Sequence, residues 1–434
     1  MKKALIISYY WPPSGGAGVQ RWLKFVKYLR EFDWEPVIFT PQNPEYPETD
    51  FSLEQDIPAD LEILKYPIWE PYSAYKKLLG QKKDQKINAA FLSEKQKNAT
   101  LENFSIWIRG NFFIPDARRF WIKPSIRYLK KWLHEHPVDV IISTGPPHSM
   151  HLIAQSISKK FGLPWLADFR DPWTNIDFYH DLRLSKWANN KHHTLELRVL
   201  KKATAVTVIS QTMADNFSQI YPRTYKVITN GYDGADIENR KPASLDEKFS
   251  IAHIGTLVSS RNPISLWKAL SSLLIEEEQF GKDLEIKLVG KVDYSVTASL
   301  AEFGLTSLVT KINYLPHDEV TRLQQSVQVL LLIINNTPNS KMILTGKLFE
   351  YLAAGRPILC VGPPDGDAAD ILSETKSGLL SDFQDIETMK KNILYYYHRY
   401  KSGIPATYPV NISKYSRKEL TGDLATILNQ ISLR

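Results

Sequence analysis

Thr345-Gly346-Lys347-Leu348-Phe349-Glu350-Tyr351-Leu352-Ala353-Ala354-Gly355-Arg356-Pro357-Ile358-Leu359 carries a helix, its stop and the start of a strand in one run. The helix starts near Gly346, Gly355 ends it, and Pro357 opens the strand. Outward from this run the same unit recurs, with short apolar stretches separated by helix-length amphipathic segments. In the second half the stretches lie at 249–254, 284–289, 327–333, 357–361 and 378–380. The first half keeps the rhythm at 3–8, 35–40, 138–143, 165–168 and 205–209. Such alternation predicts βαβ units on parallel sheets, an α/β fold. The polar stretch 236–248, with Pro242, separates the two series and predicts a linker. Domains are therefore expected at 1–240 and 249–414, with 415–434 as a closing segment.

A chain of 434 residues suits two cores, and 43% hydrophobic with 23% charged residues excludes disordered and fibrous classes. Cys360 is the single cysteine, so no intramolecular disulfide forms and no zinc spacing exists, which makes the cytoplasm and a metal-free protein the expectation. Met1-Lys2-Lys3 resembles the start of a signal peptide, but the apolar run that follows soon meets Trp11-Pro12-Pro13 and reads as a first strand. No window holds about 18 uninterrupted apolar residues, so membrane contact is expected to be peripheral at most. The net charge of +7 suits nucleic acid, anionic lipid or phosphate-bearing small molecules. Without an RNA-binding or helix-turn-helix signature, nucleic acid is not an expected partner.

Residues 67–124 break the rhythm, mixing lysines with aromatic residues such as Trp69, Tyr72, Tyr75, Phe91, Trp107, Phe112 and Phe120. One reading is a helical insertion with an ordinary core. The other is an aromatic, basic surface that touches anionic lipid or a lipid-linked acceptor.

Several strand-to-helix loops carry polar groups where open α/β sheets bind ligands. After the first strand, Gly15, Gly16 and Gly18 let backbone N–H groups approach an anion at a helix N-terminus, or simply form a turn. The spacing is not that of a dinucleotide fingerprint, which disfavours a nicotinamide dehydrogenase. Asp168, Arg170 and Asp171 follow a strand end: either carboxylate is placed to orient or deprotonate a hydroxyl, Arg170 to pair with one of them or with phosphate, and a loop-fixing ion pair is the alternative. His148, opening another helix, is a candidate for hydrogen bonding to substrate or for capping. In the second half, Gly255, Thr256 and Arg261 again place glycine, hydroxyl and cation on a strand-to-helix loop. Lys347 and Glu350, three apart on one helix, direct a cation towards phosphates and a carboxylate towards ribose hydroxyls unless they form a surface ion pair.

The string GKLFEYLAAGRPIL, with HIGTL, the tripeptide Arg261-Asn262-Pro263 and the glycine-bearing first loop, resembles glycosyltransferase family 4 with the GT-B fold. The resemblance implies two Rossmann-like parallel-sheet domains facing a central cleft. A nucleotide-sugar donor would be held by the C-terminal domain and a saccharide or lipid-linked acceptor by the N-terminal one. It also implies retention of anomeric configuration, with neither a divalent metal nor a further cofactor. Carried over by position, Thr345, Gly346, Lys347, Leu348 and Glu350 belong to the donor site. Glu350 matches the second of the family's paired glutamates, Met342 stands where the first is expected, Arg261 matches the arginine of the diphosphate-binding pair, and Lys347 takes the place of its lysine. The segment ADFRDPW occupies the place where many members carry a histidine beside Asp. Asp365-Gly366-Asp367 spells the metal-binding motif of the other large glycosyltransferase fold but reads here as a helix cap. Residues 415–434 resemble the helix that crosses back to the first domain. A non-hydrolysing sugar-nucleotide epimerase and a catalytically inactive scaffold are the competing readings. Many family members work at the inner face of the cell membrane on surface glycans, so a peripheral contact with anionic lipid is also expected.

Overall fold

The computed structural model describes residues 1–46, 49–70, 99–234, 244–313, 315–404 and 409–433. The chain forms two compact units, Met1–Thr229 with Arg417–Arg434, and Asn230–Ser416. The first division falls at Thr229 rather than within the stretch 236–248, of which residues 235–243 lie outside the described ones.

The first unit is built on a seven-stranded sheet ordered β3-β2-β1-β4-β5-β6-β7. Its strands are β1 Lys2–Ile7, β2 Trp34–Pro41, β3 Glu62–Tyr66, β4 Val140–Gly145, β5 Trp165–Phe169, β6 Ala205–Val208 and β7 Lys226–Val227. Every pairing is parallel, and Leu5 in the central β1 lies between Val37 and Ile141. Parallel strands are covered on both faces, which is why β1, β4 and β5 read as continuous apolar runs. The helix Ala17–Leu29 buries Val19, Trp22, Leu23, Val26 and Leu29 against this sheet, and Leu420, Leu424 and Leu428 of the terminal helix Arg417–Ser432 join the same core. Gly422 lets that helix approach closely: an added Cβ would stand 3.1 Å from the Phe32 ring.

The second unit holds a six-stranded parallel sheet ordered β10-β9-β8-β11-β12-β13, with β8 Phe249–Ile254, β9 Leu284–Val289, β10 Val309–Ile312, β11 Val329–Ile333, β12 Ile358–Val361 and β13 Gly378–Ser381. In both sheets successive parallel strands are linked through helices, so the loops at the strands' C-terminal ends gather along one edge.

Part of the stretch read as irregular is helical, in Ala99–Phe112 and the start of Arg119–Glu135. Tyr72, Tyr75, Lys76, Lys77, Lys82, Lys83 and Phe91 lie outside the described residues. Among the described residues no helix is long and apolar enough to cross a membrane.

Candidate functional site

In the second unit, β8 is followed by Gly255, whose φ of 115° suits glycine and whose absent Cβ leaves room for another side chain. A Cβ there would stand 2.6 Å from Lys347 Nζ. Lys347, in the first turn of the helix Gly346–Ala354, therefore folds over the glycine backbone, 3.4 Å from His253 Nε2. His253 Nδ1 lies 3.1 Å from the Leu331 carbonyl, which only accepts, so Nδ1 carries the proton and Nε2 offers its lone pair to the ammonium. Burial, with the Lys347 charge beside it, holds the pKa of His253 down to about 3, so the ring is neutral. Burial and the neighbouring Arg261 bring Lys347 down to about 8, against the opposing pull of Glu350.

Arg261 Nε donates to Asn335 Oδ1 on the loop after β11. Its neighbour Asn262 fixes the same turn, donating to Ser299 Oγ at 2.9 Å and accepting from Trp267 Nε1 at 2.8 Å. Thr345 occupies the N-cap position without capping, and its buried Oγ1 has no protein partner. A Cβ on Gly346 would meet nothing within 4 Å, so the helix start stays open on that side. The result is an electropositive recess with an unsatisfied hydroxyl at a helix N-terminus, an arrangement that suits a phosphate. Glu350, half-buried, receives one long bond from Gln324 Nε2 at 3.4 Å and keeps acceptor capacity. Leu348 is buried in the core and Thr256 is exposed. Sequence reasoning brought Gly255, Arg261, Lys347 and Glu350 together as observed, and missed His253 as a neutral neighbour and Asn335 and Gln324 as supports. Met342 is buried and offers no polar group for a sugar hydroxyl.

The cap reading of Asp365-Gly366-Asp367 needs correction: Gly366 is the N-cap, no side chain caps, and Asp365 pairs with exposed Lys341. Among the described residues, no three His, Cys, Asp or Glu side chains converge as metal ligands.

In the first unit Asp168, one of the two candidate catalytic carboxylates, is not available to a substrate. It is 1% exposed, and its two oxygens accept from Arg21 Nε and Nη2, Trp22 Nε1, Thr144 Oγ1 and Thr207 Oγ1. Burial alone would raise its pKa, but Arg21 and these donors outweigh it and hold the carboxyl below the ordinary range. Arg21 also donates to the Ile228 and Thr229 carbonyls, so the pair ties the first helix to β4, β5, β6 and the end of β7. The loop-fixing ion pair thus exists, with Arg21 rather than Arg170 as partner.

Arg170 is committed to backbone, donating to the carbonyls of Gly18 at 2.7 Å and of Pro146. A Cβ on Gly18 would lie 2.5 Å from Arg170 Nη1, so this glycine makes room for the guanidinium rather than for an anion. Gly16, at the N-cap with φ 93°, has open space beside it, and Gly15 is half-buried. His148 does not cap its helix either; its ring stacks on Trp173 at 4.4 Å, and burial keeps it neutral. Asp171 keeps solvent access, yet the crowding of protein around it raises its carboxyl pKa despite Arg170.

His148, Asp171, Trp173, Tyr10, Arg109 and Arg118 line a cavity of about 300 Å³ within this unit. Its floor is held from the helix Lys186–Lys202: the buried Glu196 accepts from Trp173 N, Thr174 N and Thr174 Oγ1, and His192 Nδ1 accepts from Trp173 Nε1. Both supports were missed, although a glutamate on the buried face of a helix, with Ala188, Leu195 and Val199, is a legible anomaly.

Residues 104–231 match the family model described as glycosyl transferase 4-like domain. No curated protein sequence matches the chain significantly. Among solved structures, the chain resembles Anabaena HepE in complex with UDP-glucose, with 13% identity, TM-score 0.61 and coverage of 99% of this chain and 100% of that one. It also resembles a UDP-forming α,α-trehalose-phosphate synthase from Burkholderia xenovorans in complex with glucose-6-phosphate, at 12% identity and TM-score 0.61, covering 98% and 100%. A putative UDP-N-acetylglucosamine 2-epimerase from Listeria monocytogenes matches at 11% identity and TM-score 0.54, covering 100% and 97%. At such identities the likeness is one of fold. Residues 104–231 are thus similar to a glycosyl transferase 4-like domain, and the chain as a whole has the GT-B type of two-unit α/β fold seen in these structures.

Proposed function

We propose that the chain is a retaining, metal-independent glycosyltransferase that moves a sugar from a nucleotide-sugar donor to a saccharide or lipid-linked acceptor in cell-surface glycan synthesis. The observation that carries this reading is the recess at Gly255, where Lys347 and Arg261 lie beside an open helix N-terminus and the unpartnered Thr345 hydroxyl. A nucleoside diphosphate seated there meets two cations and backbone N–H groups, which stabilise the charge that develops as the sugar–phosphate bond breaks. Glu350 accepts from the ribose hydroxyls. In this reading the acceptor occupies the first-unit cavity beside His148 and Asp171. Its hydroxyl oxygen bonds to the anomeric carbon as the sugar–phosphate bond breaks, and its proton passes to the departing diphosphate oxygen. Attack on the departing side preserves configuration and asks no base of Asp168. Arg170 and Gly18 act as positioning residues for the loops around the cavity. The enzyme would work in the cytoplasm at the inner face of the membrane, without nucleic-acid partners.

Thermal-shift measurements with a panel of nucleoside diphosphates test the donor site, since a ligand bound only to the folded state raises Tm. A shift with one of them that disappears in Lys347→Ala and Arg261→Ala is expected, and unchanged shifts in both variants would remove the assignment. Incubation with a nucleotide sugar alone separates the epimerase, because an isomer formed without acceptor would replace transfer as the reaction.

A further inference from the structure

Ser143 and Gly145, two apart at the end of β4, share one face of the first sheet. His148 and His151, three apart where the helix Ser149–Phe161 begins, lie on one side of it, and both are buried. Their ring centroids are 5.7 Å apart, and the rings of Phe169 and Trp173 pack around them. Gly145 makes room for the pair. A Cβ there would stand 2.5 Å from His151 Nε2 and 2.9 Å from His148 Nδ1, so the two nitrogens converge over the bare glycine. Both nitrogens are enclosed, and neither has a hydrogen-bond partner among the described residues.

The hydrogens on this pair are set from the strands. Trp165 Nε1, which can only donate, gives its hydrogen to Ser143 Oγ at 2.8 Å. Ser143 is fully buried, and among the described residues its own hydroxyl hydrogen has one acceptor, His151 Nδ1 at 2.8 Å. Were Nδ1 the donor instead, that hydroxyl hydrogen would be enclosed and unpaired, which is costly. Burial brings the pKa of His151 down to about 3 against the pull of Asp168, so the ring is neutral and carries its single hydrogen on Nε2. Nδ1 of His148 is the lone pair that this hydrogen meets.

We propose that His151 is a positioning residue whose Nε2–H donates to His148 Nδ1 across Gly145 and so fixes His148 as the tautomer that carries its hydrogen on Nε2. Stacking on Trp173 at 4.4 Å holds the plane of the His148 ring, and His151 decides which of its nitrogens is protonated. His148 lines the cavity of about 300 Å³, and with Nδ1 enclosed, Nε2 is the nitrogen it turns to whatever enters. That nitrogen offers a hydrogen and no lone pair. It therefore selects an oxygen that accepts, and it takes no proton from an acceptor hydroxyl, in agreement with a transfer in which that proton passes to the departing diphosphate. The identity of the ligand rests on the reading that the acceptor enters this cavity, whereas the polarity of the histidine pair does not.

Histidine-selective nitrogen-15 labelling of the full chain tests the pair without donor or acceptor, so its result and that of the transfer reading are separate. Long-range proton–nitrogen correlations distinguish a protonated ring nitrogen from a bare one, and His148→Gln identifies the His148 signals by their loss. The parent should show His148 with Nε2 protonated and Nδ1 bare. His151→Phe keeps a ring in place but removes the donor, and should let His148 exchange between tautomers, seen as its two nitrogen shifts moving towards each other. His151→Gln supplies an amide N–H near the place of Nε2 and should restore the parent pattern. Ser143→Ala is the smaller change. It removes the hydrogen that orders His151 and should release the tautomers of both histidines, which keeps the test open where His151→Phe does not fold. Melting temperatures are expected to fall in these variants through lost packing, but lost packing alone does not redistribute the ring hydrogens. A parent His148 protonated on Nδ1, or an Nε2 tautomer that stays fixed in His151→Phe or, where that does not fold, in Ser143→Ala, would overturn the proposal.

Discussion

Lys347 is the residue whose chemistry is most exposed to test. Its pKa, brought down to about 8 by burial and Arg261, lies below the ordinary lysine value, so between the two the unfolded chain holds more protons and this group's contribution to stability rises with pH. A diphosphate placed against the ammonium acts in the opposite direction and restores the charged form. Nucleotide binding at about pH 8.5 should therefore draw in a proton, and affinity should fall as pH climbs through this range. Calorimetry in two buffers of different ionisation heat measures the uptake. Lys347→Arg keeps the charge but no longer titrates, so its binding should be free of uptake; a parent protein that binds without proton uptake would place the phosphates elsewhere. The two carboxylates after β5 separate in the same way. Asp168→Asn leaves Arg21 buried against a neutral partner and should cost about 3–5 kcal/mol of stability, read as a large fall in Tm. Asp171→Asn should leave Tm nearly unchanged and, if the group meets substrate, lower turnover by about 10²-fold. The sequence placed both aspartates at the correct strand end, but it could not show which was enclosed, because Arg21, Trp22, Thr144 and Thr207 come from separate elements.

At the scale of elements, the strands that were legible are those covered on both faces, together with the edge strand β13, which is only partly buried. The three that were missed, β3 (Glu62–Tyr66), β7 (Lys226–Val227) and β10 (Val309–Ile312), all lie at sheet edges and are partly or wholly exposed. An edge strand buries less of its surface and shows no continuous apolar run. The helix Lys186–Lys202 shows the same limit for function, since it lines the cavity through His192 and holds the lining Trp173 through Glu196 while most of its sequence reads as polar. Burial raises the Glu196 pKa, although three donors from Trp173 and Thr174 converge on it. Glu196→Ala would strand two buried backbone N–H groups and a hydroxyl, at about 1–3 kcal/mol for each group left unsatisfied. The expected outcome is a lower Tm together with a loss of turnover that exceeds the loss of donor affinity, since the proposed donor site lies in the other unit. Equal losses in acceptor-dependent turnover and in donor affinity would argue against a role confined to the cavity.

For the whole molecule, the chain's end matters as much as its start. Arg417–Ser432 belongs to the first unit although 187 residues of the second, 230 to 416, intervene. Leu420, Leu424, Leu428 and Ile431 share a core with Trp22, Phe25 and Leu29, and Lys2 Nζ reaches Ser432 Oγ at 2.9 Å, joining the first strand to the last helix. This non-local closure has a measurable consequence. Leu428 is fully buried, so Leu428→Ala removes most of a packed side chain and should cost about 2–5 kcal/mol, the range of large-to-small core changes. Removing residues 417–434 takes away the entire apolar stripe and leaves the buried faces of Trp22 and Leu29 open to water. The truncated protein should lose the first unit's cooperative melting or aggregate on expression. Nucleoside-diphosphate binding, placed by the proposal at Gly255, Arg261, Lys347 and Glu350, should survive in whatever remains soluble. Calorimetric scans of the parent, Leu428→Ala and the truncation, each with and without nucleotide, distinguish the outcomes. A truncation that melts like the parent would show that the helix merely covers the first unit, whereas selective loss of the transition that nucleotide does not shift would show that it completes the core.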